Sequence, residues 1–125
     1  GLQQAMRLGW YDPVTFDEEG YDLLDDPSFA DMHILCPKFI AFKGPTKRKV
    51  KICDGVYGFT ASHYSRLLKE GLSCKTVVRL NEASTYDSSI FKEAGIEHFD
   101  LYFDDCTTPS RRIVDRFLDL CEEKE

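Results

Sequence analysis

The stretch "TVVRLNEASTYDSSIFKEAGIEHFDLYFDD", Thr76–Asp105, decides the fold. Its opening, Thr76 to Leu80, is β-branched and apolar, the composition of a buried strand. Asp87 can cap a following helix, Ile90, Phe91 and Ala94 share one face of it, and Gly95 suits its stop. "HFDLYF", His98 to Phe103, then predicts a second strand, which runs straight into Asp104 and Asp105.

Working outward, the same alternation continues. "FIAF", Phe39 to Phe42, reads as a strand broken by Gly44 and Pro45. In "ASHYSRLLKEG", Tyr64, Leu67 and Leu68 share a helical face and Gly71 ends it. Past the aspartates, Thr108 can cap a helix with Pro109 at its first position. Ile113, Val114, Phe117, Leu118 and Cys121 form its apolar stripe. Strand and helix alternate three times, which predicts an α/β fold, a mostly parallel sheet covered by helices. The N-terminal third differs. Pro13, Gly20 and Pro27 interrupt an acidic segment whose helical stretch, about Val14 to Leu24, has only a moderate apolar face. It reads as a linker that packs against the α/β part.

The 125 residues suffice for one domain, and 42% hydrophobic with 30% charged residues fits a soluble globular chain. No apolar run approaches the ~20 residues of a membrane span, so no membrane partner is expected. The opening "GLQQAMRLGWYDP" has neither an initiator methionine nor the regions of a signal peptide. Five dispersed cysteines, an odd number without a C-x-x-C pair, argue against a disulfide framework or zinc site and favour a reducing compartment. The net charge of -6 is uneven. Seven acids and no lysine or arginine lie between Asp17 and Asp31, while bases gather in "KGPTKRKVK", Lys43 to Lys51. The acidic run is either solvated surface or a groove for a basic peptide. Nucleic acid is not an expected partner, since the basic cluster is short and no aromatic binding motif accompanies it.

The aspartates at the strand end carry the chemistry. Open α/β sheets place ligands beyond the carboxyl ends of their strands. Adjacent carboxylates disfavour double ionisation, which helps keep one protonated as a general acid. Turn formation and magnesium binding are the competing readings. Cys106 has no histidine near it in sequence and no glycine-rich loop, so it reads as a turn residue. His33, His63 and His98 lack metal-ligand spacing. Arg79 reads as an ion-pair former. No P-loop, G-x-S-x-G or dinucleotide fingerprint is present.

"GWYDPVTFDEEGYD", "FIAFKGP" and "VVRLNEASTYDSSIFKEAGIEHFDLYFDDCTTPSRRIVDRFLDLCE" together resemble the cell-division-cycle-fourteen family of dual-specificity protein phosphatases, from about Gln4 to Cys121. The specific elements are R-L-N, the helix Y-D-x-x-x-F-x-x-A-G-I, and F-D-D-x-x-T-P. The resemblance implies three segments: residues 1–13 as the end of a preceding non-catalytic phosphatase-like domain, 14–36 as the acidic linker, and 37–125 as the first half of the catalytic domain. It implies a cysteine-dependent enzyme that needs no metal or cofactor and prefers phosphoserine-proline sites. Its substrates would be phosphoproteins with basic residues near the phosphosite, in nucleus and cytoplasm.

Residue by residue, Asp105 falls on the family's general acid, and Asp22 and Asp25 on its acidic substrate groove. The family's nucleophile belongs to H-C-x-x-G-x-x-R, which is expected beyond Glu125, so these residues alone are expected to be inactive. Two departures stand at the acid: Cys106 where the family usually has glycine, and Asp104 where it usually has a small or apolar residue. The alternative is a catalytically dead module that binds basic peptides through the acidic linker. The sequence leaves the oligomeric state open.

Overall fold

The computed structural model describes residues 1–124; Glu125, the end of the segment assigned to the catalytic half, lies outside them. The chain is mixed helix and strand and divides into two compact units.

The first unit comprises Gly1–Lys43 and Lys51–Tyr57. It holds α1 (Leu2–Arg7), α2 (Glu18–Asp25), β1 (Met32–Cys36) and β2 (Phe39–Phe42). Helix α2 starts where Asp17 accepts the Gly20 N–H at 3.0 Å, with Glu18 and Glu19 in the first turn, where the helix dipole favours acids. A Cβ on Gly20 would run into the Asp17 carboxylate, so glycine lets the cap close over the turn. This is a local reason for a residue that otherwise weakens a helix interior by ~1 kcal/mol relative to alanine. Strands β1 and β2 form an antiparallel hairpin through Pro37 and Lys38, with Met32 opposite Phe42 and an irregularity between Ile34 and Cys36. Ala30 and Met32 are fully buried, whereas Trp10 and Val14 are among the most exposed large apolar side chains.

The linker reading of residues 14–36 thus conceals a strand, β1. It also changes the expected sheet: "FIAF" pairs antiparallel with the segment just before it, because a two-residue connection permits only that direction. A second short hairpin pairs β3 (Val50–Cys53) with β4 (Val56–Gly58).

The second unit runs over Gly44–Val50 and from Gly58 on. Thr60 caps α3 (Ala61–Arg66) by accepting the His63 N–H, and the helix continues as a wider π turn over Leu67–Gly71. Strand β5 (Thr76–Arg79) leads to α4 (Ser89–Glu93), β6 (Glu97–Asp100) and α5 (Arg111–Glu123). Strands β5 and β6 are parallel, with Thr76 opposite Glu97 and Arg79 opposite Asp100. Helix α4 packs on α3 and β6 and ends at Gly95, whose φ of 76° lies in the left-handed region. Tyr64, Leu68, Val77, Phe91, Ile96 and Leu120 are buried; each such side chain contributes ~1.5–3 kcal/mol by leaving water. Among the described residues this parallel pair, two hairpins and the flanking helices make up the α/β character. Among the described residues the parallel pairing is confined to the two strands β5 and β6 and an isolated bridge between Thr46 and Thr60, short of the expected larger, mostly parallel sheet.

Candidate active site

The carboxyl end of the parallel pair is organised around Arg79. The register sets Arg79 opposite Asp100, and its Nε meets Asp100 Oδ1 at 2.6 Å. Its Nη1 donates to the carbonyls of Tyr86 at 2.7 Å and Ala83 at 3.2 Å. The guanidinium also lies 4.5 Å from the Tyr86 ring centroid, a cation–π distance. The Tyr86 hydroxyl is hydrogen-bonded to His98 Nε2 at 2.8 Å. One buried arginine therefore ties the loop after β5 to the end of β6, and the ion pair expected of it is present.

Titration follows from this packing. The Arg79 hydrogen bond pulls the Asp100 carboxyl below the usual range, and Asp100 in turn raises Arg79. Burial lowers the His98 pKa and pushes Tyr86 up to about 12, so both favour their neutral forms.

Beyond β6 the ladder persists. Leu101 N–H donates to the Arg79 carbonyl at 2.9 Å and Phe103 N–H to the Leu80 carbonyl at 3.4 Å. The chain then turns. The Asp104 carbonyl accepts the Thr107 hydroxyl at 2.5 Å and its N–H at 3.3 Å. Cys106 takes φ 58°, left-handed backbone that suits glycine. The two aspartates are treated differently. Asp104 Oδ1 accepts the Tyr102 hydroxyl at 2.5 Å, whereas Asp105 Oδ1 accepts the adjacent Cys106 N–H at 2.9 Å. Both are exposed.

The other candidate residues lie on α2. Asp22 and Asp25 are exposed and three apart, neighbours on a helix surface. Asp25 is paired with His33 Nε2 at 3.2 Å. Asp31 meets Lys43 at 3.2 Å, and Asp26 accepts the Ser28 N–H at 2.7 Å; Ser28's hydrogen bonds hold the Asp26 carboxyl below its ordinary value. The acidic run thus has local partners at several positions that its sequence does not reveal.

No protein-family model matches the chain. Individual relatives do. Dual specificity protein phosphatase CDC14A of Mus musculus is 38% identical over 126 residues, which is 100% of this chain and 20% of that protein. The human protein of the same name is 37% identical over 100% of the chain and 21% of its own length. Tyrosine-protein phosphatase CDC14 of Saccharomyces cerevisiae is 33% identical over 98% of the chain and 22% of its own length.

The chain belongs to the CDC14 phosphatase family. It spans about a fifth of the length of these curated relatives.

One spacing in this CDC14-family chain escapes the sequence reading. Cys106 and Arg112 are separated by five residues, the bare spacing of a phosphatase nucleophile and its arginine, although no histidine precedes the cysteine and no glycine lies between. The backbone argues against a phosphate cradle there. Thr107 N–H is already donated to Asp104, Pro109 has none, and the Ile113 N–H is taken by Ser110. This segment is the turn that follows Asp105 and the first turn of α5. The buried Arg79–Tyr86–His98 cluster is the other feature missed. Its only signal is the placement of R-L-N at a strand end, and its partner Asp100 lies 21 residues away.

Proposed function

We propose that the chain supplies the general acid and an acidic substrate-binding segment of a cysteine-dependent, dual-specificity protein phosphatase. The observation that carries this reading is the turn at the carboxyl end of the parallel pair. It presents an exposed Asp105 in a chain related along its whole length to CDC14 phosphatases. Under this reading residues 1–13 end a preceding domain, 14–36 link, and the catalytic half begins at 37.

In the reaction a thiolate from an H-C-x-x-G-x-x-R loop, which these 125 residues do not contain, attacks the phosphorus. The bond to the seryl, threonyl or tyrosyl oxygen breaks, and Asp105 protonates that oxygen as it leaves. The proton matters most for serine and threonine, whose alkoxides are poor leaving groups. Water then attacks the phosphocysteine, Asp105 takes its proton, and phosphate departs with the thiolate regenerated. Asp22 and Asp25 attract a basic side chain near a phosphoserine-proline site. Phosphoproteins of nucleus and cytoplasm are the proposed substrates, and the odd, dispersed cysteine set supports that compartment.

The test uses the full-length enzyme. Asp105→Asn is expected to lower turnover of a phosphoserine peptide by ~10²–10⁴-fold, and that of an activated aryl phosphate less. Equal losses on both substrates, or none, would remove Asp105 from the role, and an unmutated full-length protein that turns over neither would favour the dead peptide-binding module. The 125-residue chain alone is expected to turn over neither substrate. Metal-free turnover that survives Asp105→Asn but disappears in Cys106→Ser would move the nucleophile to Cys106. Asp22→Lys with Asp25→Lys is expected to reverse a preference for peptides with a nearby lysine or arginine and to change its salt dependence. Equal rates for basic and neutral peptides in the unmutated enzyme at low salt would reduce the acids to a solvated face.

A further inference from the structure

We infer that Tyr102 is a positioning residue for the acid turn: its hydroxyl holds the Asp104 carboxylate aside, so that Asp105 is the carboxylate left to transfer the proton. The inference rests on the reading of Asp105 as general acid. The two adjacent acids pose a problem that a single acid would not. A second carboxylate beside the first competes for the position next to the leaving oxygen.

The structure holds the two carboxylates differently. Tyr102 donates to Asp104 Oδ1 at 2.5 Å, and Thr107 fixes the Asp104 carbonyl through both its hydroxyl and its N–H. Asp104 is thereby held by its side chain from one side and by its backbone from the other. Among the described residues the Asp105 side chain is hydrogen-bonded to the Cys106 N–H next to it through Oδ1, a bond that orients a carboxylate without occupying its second oxygen. Tyr102 is 47% exposed, so its hydroxyl serves no core. The hydrogen bond to Asp104, then that carboxylate's charge, raises the Tyr102 pKa, which keeps the phenol a donor. A hydrogen bond from a neutral donor to a carboxylate is among the stronger kind.

The experiment is a double-mutant cycle in the full-length enzyme with Tyr102→Phe, Asp104→Ala and the pair, alongside Asp105→Asn. On a phosphoserine peptide, Tyr102→Phe is expected to lower kcat about three- to tenfold with KM unchanged, the size of one such hydrogen bond. An activated aryl phosphate should change less than twofold, since it needs little protonation. The double variant should be no worse than the poorer single one, because both remove the same bond. Wild-type turnover in Tyr102→Phe, or losses that multiply in the double variant, overturn the inference while Asp105→Asn still shows its leaving-group-dependent loss. If Asp105→Asn shows no such loss, the underlying assignment of the acid has failed, and the positioning role fails with it.

Discussion

Asp100 at the end of β6 and Asp25 at the end of α2 have the same side-chain exposure, 49%, and each pairs with one base. They differ in the partner. Arg79 is only 4% exposed, whereas His33 is 39% exposed. A carboxylate's worth to the fold is therefore set by what its loss would strand. Removing Asp100 leaves a guanidinium charge buried without its counter-ion; removing Asp25 leaves an imidazole facing water. The pair at the end of β6 is anchored on a buried guanidinium, whereas both partners of the pair at the end of α2 lie well in water.

The sharpest way to break this comparison is to delete both acids separately. Asp100→Ala should cost roughly 2–4 kcal/mol, toward the low end for a broken buried pair because one partner is half in water. Asp25→Ala should cost roughly 0–1 kcal/mol, the range of surface pairs. Chemical denaturation checks both, and equal costs would abolish the distinction.

A smaller effect comes from acidification. His98 has a lowered pKa in the folded state, so its neutral form contributes stability that is present above the unfolded value of 6.5. That contribution is lost as pH falls below 6.5 toward the folded value, because the unfolded chain binds the proton first. Asp100 behaves likewise at lower pH: its contribution is present above the ordinary 3.8 and declines as pH falls through its depressed value. Thermal unfolding between pH 7 and 5 should show a decline that is reduced in His98→Phe. A flat profile in the unmutated protein would contradict a buried, neutral His98.

The smallest expected change is a gain. Cys106→Gly removes a side chain from left-handed backbone and should stabilise the chain by up to ~1 kcal/mol, partly offset by the entropy glycine brings to the unfolded state. A loss on substitution would mean that the thiol makes contacts worth more than the strain.

The parallel pair was the most legible part of the sequence. Thr76, Val77 and Val78 are β-branched, Leu80 is apolar, and Gly95 marks the helix stop. Boundaries were less so. Ser110, not Thr108, caps α5, since three consecutive residues there can each begin a helix. Asp87 was read as the cap of α4, where Ser88 stands, yet its carboxylate accepts the Ser89 N–H at 2.9 Å beside it. Strand β1 was hidden because His33 interrupts its apolar run and Pro37 with Lys38 is not a typical hairpin turn. Strand β3 was hidden within a basic run. For the site, the two aspartates could be found from their position after a strand, but their different bonding could not. Which carboxylate Tyr102 takes depends on the path of the turn, and that path depends on a left-handed residue at a position occupied by cysteine.

The pairing of Arg79 with Asp100 also acts as a registration mark for the two strands. A slide of one residue turns every side chain of a strand to its opposite face. In such a slide Asp100 would leave the buried guanidinium, and every residue downstream would change phase with it. The buried ion pair therefore keeps count for the chain, four residues before the first aspartate of the turn.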